Sequence, residues 1–177
     1  MLFRSAGMDS IQAPDRNQAI AQMMEAHGDT LLRLCFLYLG DRQLAEDALQ
    51  DTFMNAWRAY HSFRGDSSEK SWLTRIAINC CKGIRRTNWF RRVDIGVAMD
   101  ALPAGDAPFD AADDTVLRAV HTLKDNYREV ILLYYYQNLK TREIASLLNI
   151  PEATVSTRLK RAKDKLKPKL ERWYFDD

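Results

Sequence analysis

The richest chemistry lies near the C-terminus, in Thr141-Arg-Glu-Ile-Ala-Ser-Leu-Leu-Asn-Ile-Pro-Glu-Ala-Thr-Val-Ser-Thr-Arg-Leu-Lys-Arg-Ala-Lys163. Hydroxyl and cationic side chains cluster on one stripe: Ser156, Lys160, Lys163 and Lys167, flanked by Thr157 and Arg161. Such groups near a helix N-terminus suit base edges and phosphates. A second basic stripe comprises Arg75, Asn79, Lys82 and Arg86, with Arg85 and Lys70 close by and Arg91 and Arg92 beyond. This pattern can track a nucleic-acid backbone. A third group is acidic and polar: Glu46, Asp47, Gln50, Asp51, Met54 and Asn55 share one helical face. A solvated surface is the ordinary explanation of such a face. Beside segments that bind DNA it fits a basic partner protein, with charge complementarity orienting the encounter.

These groups need elements to hold them. Apolar residues recur at helical spacing along most of the chain, and no segment alternates like a strand. The spacing predicts a first helix over 17–39, with Gly28 as a candidate break. Asp41 can cap a second helix reaching Tyr60, whose buried stripe reads Ala45, Ala48, Leu49, Phe53, Ala56, Trp57 and Tyr60. A third helix is predicted over 71–86, with Leu73, Ile76, Ala77, Cys80 and Ile84 inward. The pattern breaks from Asn88 to Asp113, where Ala, Asp, Pro and Gly predominate as in a flexible linker. Helical spacing resumes near Thr115 and runs to Trp173.

The expectation is an all-α chain of two small helical domains, residues 17–88 and 114–173, joined by a linker over 89–113. The second domain is small enough to be marginally stable in isolation. Within it, Thr141 can cap a short helix with Ile144, Ala145 and Leu148 inward, and Asn149 suits a left-handed turn. Pro151 stands at or beside the start of the next helix, which buries Val155, Leu159, Ala162 and Leu166. Helix, tight turn, helix is the framework that offers a second helix to the DNA major groove. Charge alone would fit a solvated face; the turn chemistry and tandem helices favour DNA.

Composition narrows the remaining functions. The chain has 177 residues, 46% hydrophobic, and a formal net charge of +2. Its 3 cysteines (Cys35, Cys80, Cys81) are odd in number and form no CxxC, which suits a reducing cytoplasm. His27, His61 and His121 are far apart in sequence, so no metal site and no cofactor is expected. Residues 1–16 hold no apolar run of signal-peptide length, and no stretch approaches the roughly 20 residues of a membrane span. An enzyme is not expected: no Gly-rich phosphate loop, HExxH or nucleophile constellation occurs. Asp47 and Asp51 could seed a metal site, but no His or third carboxylate is placed to complete it.

The motifs resemble a known family. Asp41-Arg-Gln-Leu-Ala-Glu-Asp-Ala-Leu-Gln-Asp-Thr-Phe-Met-Asn-Ala-Trp57 is similar to the core-polymerase-binding segment of bacterial sigma factor region 2. Phe63-Arg-Gly-Asp and Trp72-Leu-Thr-Arg-Ile-Ala-Ile-Asn79 resemble its promoter −10 segment. Leu123-Lys-Asp-Asn-Tyr-Arg-Glu-Val-Ile-Leu-Leu133, Glu143-Ile-Ala and Thr154-Val-Ser-Thr-Arg-Leu-Lys-Arg-Ala162 resemble region 4. The order, with only a linker between, is that of the extracytoplasmic-function group, and the likeness spans about residues 20–170. Two departures are Ala153 and Asn149, where the family often carries Gly; both are sterically tolerable.

The resemblance implies roles. Glu46, Asp47, Gln50, Asp51, Met54 and Asn55 would face core RNA polymerase. The loop Phe63, Arg64, Gly65, Asp66, Ser67, Ser68, Lys70 and Trp72 would capture a flipped −10 base, although Trp72 alone fits a core position better. Arg75, Asn79, Lys82, Arg85 and Arg86 would hold the neighbouring strand. Thr141, Arg142, Thr154, Ser156, Thr157, Arg158, Lys160, Arg161 and Lys163 would address the −35 element of promoter DNA. The resemblance also implies an anti-sigma factor as partner, often membrane-bound, a bacterial cytoplasmic location and no small-molecule substrate. A conventional helix-turn-helix repressor or activator is the rival; it would leave the acidic face and the first basic helix without a role.

Overall fold

The structure is a computed structural model that describes residues 15–95 and 111–174, with side chains described over 15–87 and 116–170. Among the described residues there is no strand. Helix α1 (Arg16–Leu39) runs straight through Gly28, so that glycine is no break. It stops at Gly40, whose φ of 72° is cheap only without a Cβ, and whose N–H donates to the Phe36 carbonyl at 2.8 Å. Asp41 then caps α2 (Arg42–Ala59), accepting from the Leu44 N–H at 2.9 Å. A 3-10 turn (Tyr60–Ser62) closes α2.

On α2, Leu49 is only half-buried, and Trp57 and Thr52 depart further from the predicted stripe. Trp57 points outward at 39% exposure, with the Arg16 guanidinium 3.5 Å from its ring centre and its Nε1–H donating to Asn17. Thr52 is buried instead, because its hydroxyl donates to the Ala48 carbonyl at 2.6 Å and so brings no unpaired polar group inward.

Helix α3 (Glu69–Ile95) begins before and ends after the expected 71–86. Its buried stripe is Leu73, Thr74, Ala77, Ile78 and Cys81, while Ile76, Cys80 and Ile84 are only half-buried. The helix is thus turned by about one residue from the predicted face, and Cys81, not Cys80, is enclosed with Cys35. A hydrogen bond with the Cys35 thiol, together with burial, pushes the Cys81 thiol well above its usual range, so Cys81 is an inert core group.

The second half comprises α4 (Ala111–His121), α5 (Asp125–Ile131), a π turn (Leu132–Tyr136), α6 (Thr141–Leu148) and α7 (Glu152–Tyr174). Residues 96–110, the middle of the predicted linker, lie outside the described residues; 89–95 and 111–113 at its two ends belong to α3 and α4. Lys140, not Thr141, stands at the N-terminal cap of α6, where its N–H donates to Glu143 Oε2 at 2.7 Å. The Thr141 hydroxyl reaches across to Glu152. Leu147 replaces Leu148 in the buried stripe of α6, while Val155, Leu159, Ala162 and Leu166 of α7 are buried as expected. Asn149 adopts φ 54°, which turns the chain between α6 and α7.

The two halves share one continuous apolar core. Leu34, Cys35 and Tyr38 of α1 belong to the same buried cluster as Val120, Leu123, Ile131 and Leu133.

Candidate functional site

All six acidic and polar residues predicted on α2 (Glu46, Asp47, Gln50, Asp51, Met54, Asn55) are exposed. Four of them, Asp47, Gln50, Asp51 and Asn55, form one wall of an open groove of roughly 820 Å³. The facing wall is α3, through Ile76, Asn79, Cys80, Ile84 and Thr87, with Gly83 widening it. Glu46 stands aside, paired with Arg42 at 3.0 Å. The groove thus has an acidic rim and a partly apolar floor; of its α3 wall only Asn79 was a predicted site residue, whereas Ile76, Cys80 and Ile84 were expected to face the core. Asn55 Nδ2–H donates weakly to Cys80 Sγ at 3.5 Å, while burial raises that thiol's pKa.

Asn79 lines this groove and also belongs to the exposed stripe of Arg75, Lys82 and Arg86, with Arg85 half-buried beside it. In the loop before α3, Phe63 and Trp72 stack on each other with centroids 4.7 Å apart and planes at 29°. Both are half-buried against the core, so Trp72 is partly the core residue its type suggested. Ser68 accepts the Ser71 N–H at 3.2 Å and steadies the start of α3. Arg64, Gly65, Asp66, Ser67 and Ser68 remain exposed, with Gly65 at φ 74°. Lys70 is not in the open: its ammonium donates to the Gln137 carbonyl at 3.1 Å.

In the second half, Ser156, Thr157, Lys160, Arg161, Lys163 and Arg142 are exposed, and Thr141, Thr154 and Arg158 are half-buried. The Thr157 hydroxyl donates back to the Ala153 carbonyl at 2.9 Å. Lys163 has moved off the stripe in chemical terms. Its ammonium lies 5.5 Å and 5.4 Å from the Tyr134 and Tyr135 rings, an exposed aromatic pair that the sequence reading missed. Beyond the α6–α7 turn, Ser156, Thr157, Lys160 and Arg161 are exposed along α7.

Buried charges join the halves. Arg128, whose side chain is 1% exposed, donates to the carbonyls of Val120 (3.3 Å), Tyr38 (3.2 Å), His121 (2.7 Å) and Leu123 (3.0 Å). Burial, helped by nearby Arg85, pulls its pKa down to about 10, so it stays charged at neutral pH. Glu129 accepts the Tyr38 hydroxyl at 2.9 Å and pairs with Lys82 at 3.1 Å. His121 is pushed down to about pKa 4 by burial and by Arg128 and Arg85, and its Nε2 is buried without a partner. Among the described residues no three His, Cys, Asp or Glu side chains cluster as metal ligands. Nor is any described helix long and apolar enough to cross a membrane.

Residues 23–91 match the family model for sigma-70 region 2, and residues 113–166 that for sigma-70 region 4. The chain is 32% identical to the ECF RNA polymerase sigma factor SigW of Bacillus subtilis, over 86% of this chain and 89% of SigW. The chain belongs to the extracytoplasmic-function sigma factor family. SigM of the same organism is 30% identical over 89% of this chain and 99% of its own. Among solved structures, the sigma factor RpoE in complex with the anti-sigma factor NepR from Bartonella quintana aligns with a TM-score of 0.71 and 25% identity. That alignment covers 88% of this chain and 96% of RpoE. CnrH in complex with the cytosolic domain of CnrY aligns with a TM-score of 0.67 and 26% identity, over 88% of this chain and 89% of CnrH. As a sigma factor, this chain serves promoter-specific transcription initiation by RNA polymerase, a regulatory role and not that of a classical enzyme.

Proposed function

We propose a division of labour among three surfaces. The α2–α3 groove docks on core RNA polymerase through Asp47, Gln50, Asp51 and Asn55, with Glu46 and Met54 at its edge. Residues 114–173 read the −35 duplex, with Ser156, Thr157, Lys160 and Arg161 of α7 in the major groove and Arg142 and Arg158 toward phosphates. Residues 17–88 hold the melted −10 strand through the Phe63–Trp72 loop and the cations of α3, while 89–113 connects the two. Unpairing and unstacking bases costs free energy, so selective capture of an exposed base draws the promoter toward the open state. Tethering raises the effective concentration of each half at its element once the other is bound.

The observation that carries this reading is the succession of two sigma matches, the acidic groove falling in the first and the exposed basic helix in the second. An anti-sigma factor, membrane-bound or soluble, restrains the chain in the bacterial cytoplasm; two structural relatives were solved with protein partners. The test is run-off transcription of fragmented genomic DNA by bacterial core polymerase, with and without the protein. Discrete, protein-dependent start sites are expected. No new starts, with no binding to core polymerase, would overturn the reading in favour of a conventional operator-binding protein.

A further inference from the structure

Four cations of the face assigned above to the melted strand are occupied by the chain's own second half. Lys70 donates to the Gln137 carbonyl at 3.1 Å and Arg75 to the Ser146 carbonyl at 3.4 Å. Lys82 pairs with Glu129 at 3.1 Å and Arg85 with Asp125 at 2.9 Å. The exposed face of α7 is treated differently: among the described residues, Ser156, Thr157, Lys160 and Arg161 make no hydrogen bond or ion pair to the first half.

The contact is anchored at one residue. Tyr38 lies in the last turn of α1, where carbonyls lack intrahelical donors and the helix end is electronegative. Arg128 donates to the Tyr38 carbonyl, and its neighbour Glu129 accepts the Tyr38 hydroxyl. Both ends of one buried tyrosine are thus engaged by two adjacent residues of α5. The Glu129 side chain is almost fully buried, so its charge is tolerable there only while Tyr38 and Lys82 hold it. Loose association of two surfaces would not bury a matched acid, base and phenol together; a specific shut state does.

We propose that Tyr38, Arg128 and Glu129 form a latch that holds the free chain shut, with four cations of its single-strand face engaged by its own second half and its duplex-reading helix open. This inference rests on the assignment of the α3 face to the melted strand. Opening frees Lys70, Arg75, Lys82 and Arg85 from these partners together, so single-strand binding scales with the open fraction.

The test compares the full chain with Tyr38→Phe, Glu129→Gln and the double variant. Neither residue lies on a polymerase or DNA surface. Each substitution keeps the shape of the side chain and removes a hydroxyl or a charge. Small-angle scattering reads closure against the radius of about 16 Å expected for a compact chain of this length. Binding of a fluorescent oligothymidylate at low salt reads access to the α3 face. Circular dichroism and a cooperative melt on the same samples separate opening from unfolding. The expected result is a compact wild type, an expanded but helical double variant, and an apparent Kd for the oligonucleotide about tenfold lower, since hydrogen bonds to charged groups are lost. A wild type already expanded, or a double variant that stays compact, would overturn the latch. In that case Arg75→Ala and Lys82→Ala, which must still weaken oligonucleotide binding, judge the strand assignment separately. Expansion without tighter binding would overturn the masking of these cations, and the same two alanine variants then judge the strand assignment.

Discussion

Replacing Arg128 by Met isolates what the buried guanidinium contributes. Met fills much of the same volume but donates nothing. The carbonyls of Val120, Tyr38, His121 and Leu123 each lose a donor, at distances that now run from 2.7 to 3.3 Å. A buried acceptor left unpaired costs about 1–3 kcal/mol, and relaxation and water entry recover part of that. Asp125 is half exposed and loses little when its partner goes. The expected destabilisation is about 4 kcal/mol, of the size seen when one member of a buried charged network is removed. For a chain of this length that is roughly 10 °C in melting temperature. Urea denaturation followed by circular dichroism measures it. Arg128→Lys should recover little, because one ammonium cannot reach acceptors spread along the planar fork of arginine. A loss below about 1 kcal/mol for Arg128→Met would show that these carbonyls are well served by water, and the account of the buried network would fail.

Three further outcomes are expected. Stability should fall with acid through His121: its folded pKa of about 4 lies below the unfolded value, so the unfolded chain binds the proton more readily and stability is lost as pH drops below about 6.5. Urea midpoints should record about 2 kcal/mol between roughly pH 7 and pH 5, and His121→Gln should flatten that slope. Asp51→Arg, on the exposed rim of the α2–α3 groove, should abolish binding to core polymerase in a pull-down while changing stability by no more than about 0.5 kcal/mol. Lys160→Ala or Arg161→Ala should weaken duplex binding and lower its salt dependence by about one released counterion if the contact is to phosphate, with polymerase binding unchanged.

Local chemistry made much of this chain legible from its sequence. Asp41 caps α2, Gly40 and Asn149 turn the chain in the left-handed region, and Val155, Leu159, Ala162 and Leu166 line the inner face of α7. Each depends on residues within a turn or two of one another, so spacing suffices to find it. The order of the motifs was likewise a property of the sequence and led to the family. Tertiary packing decided the rest. On α3, Cys80 and Cys81 sit about 100° apart on either side of the stripe's edge, and only the position of α1 decides that Cys81 goes inward. Trp57 turned outward because Arg16 and Asn17, at the far end of α1, gave its ring and N–H partners at the surface. No local pattern in the sequence marks Arg128 and Glu129 for burial, and Glu129 meets its buried partner Tyr38 91 residues away. No helical period carries information over that distance. The union of the two halves, and the pairing of cations on one candidate DNA face with the other half, exist only where the folded chain brings α1, α3 and α5 together.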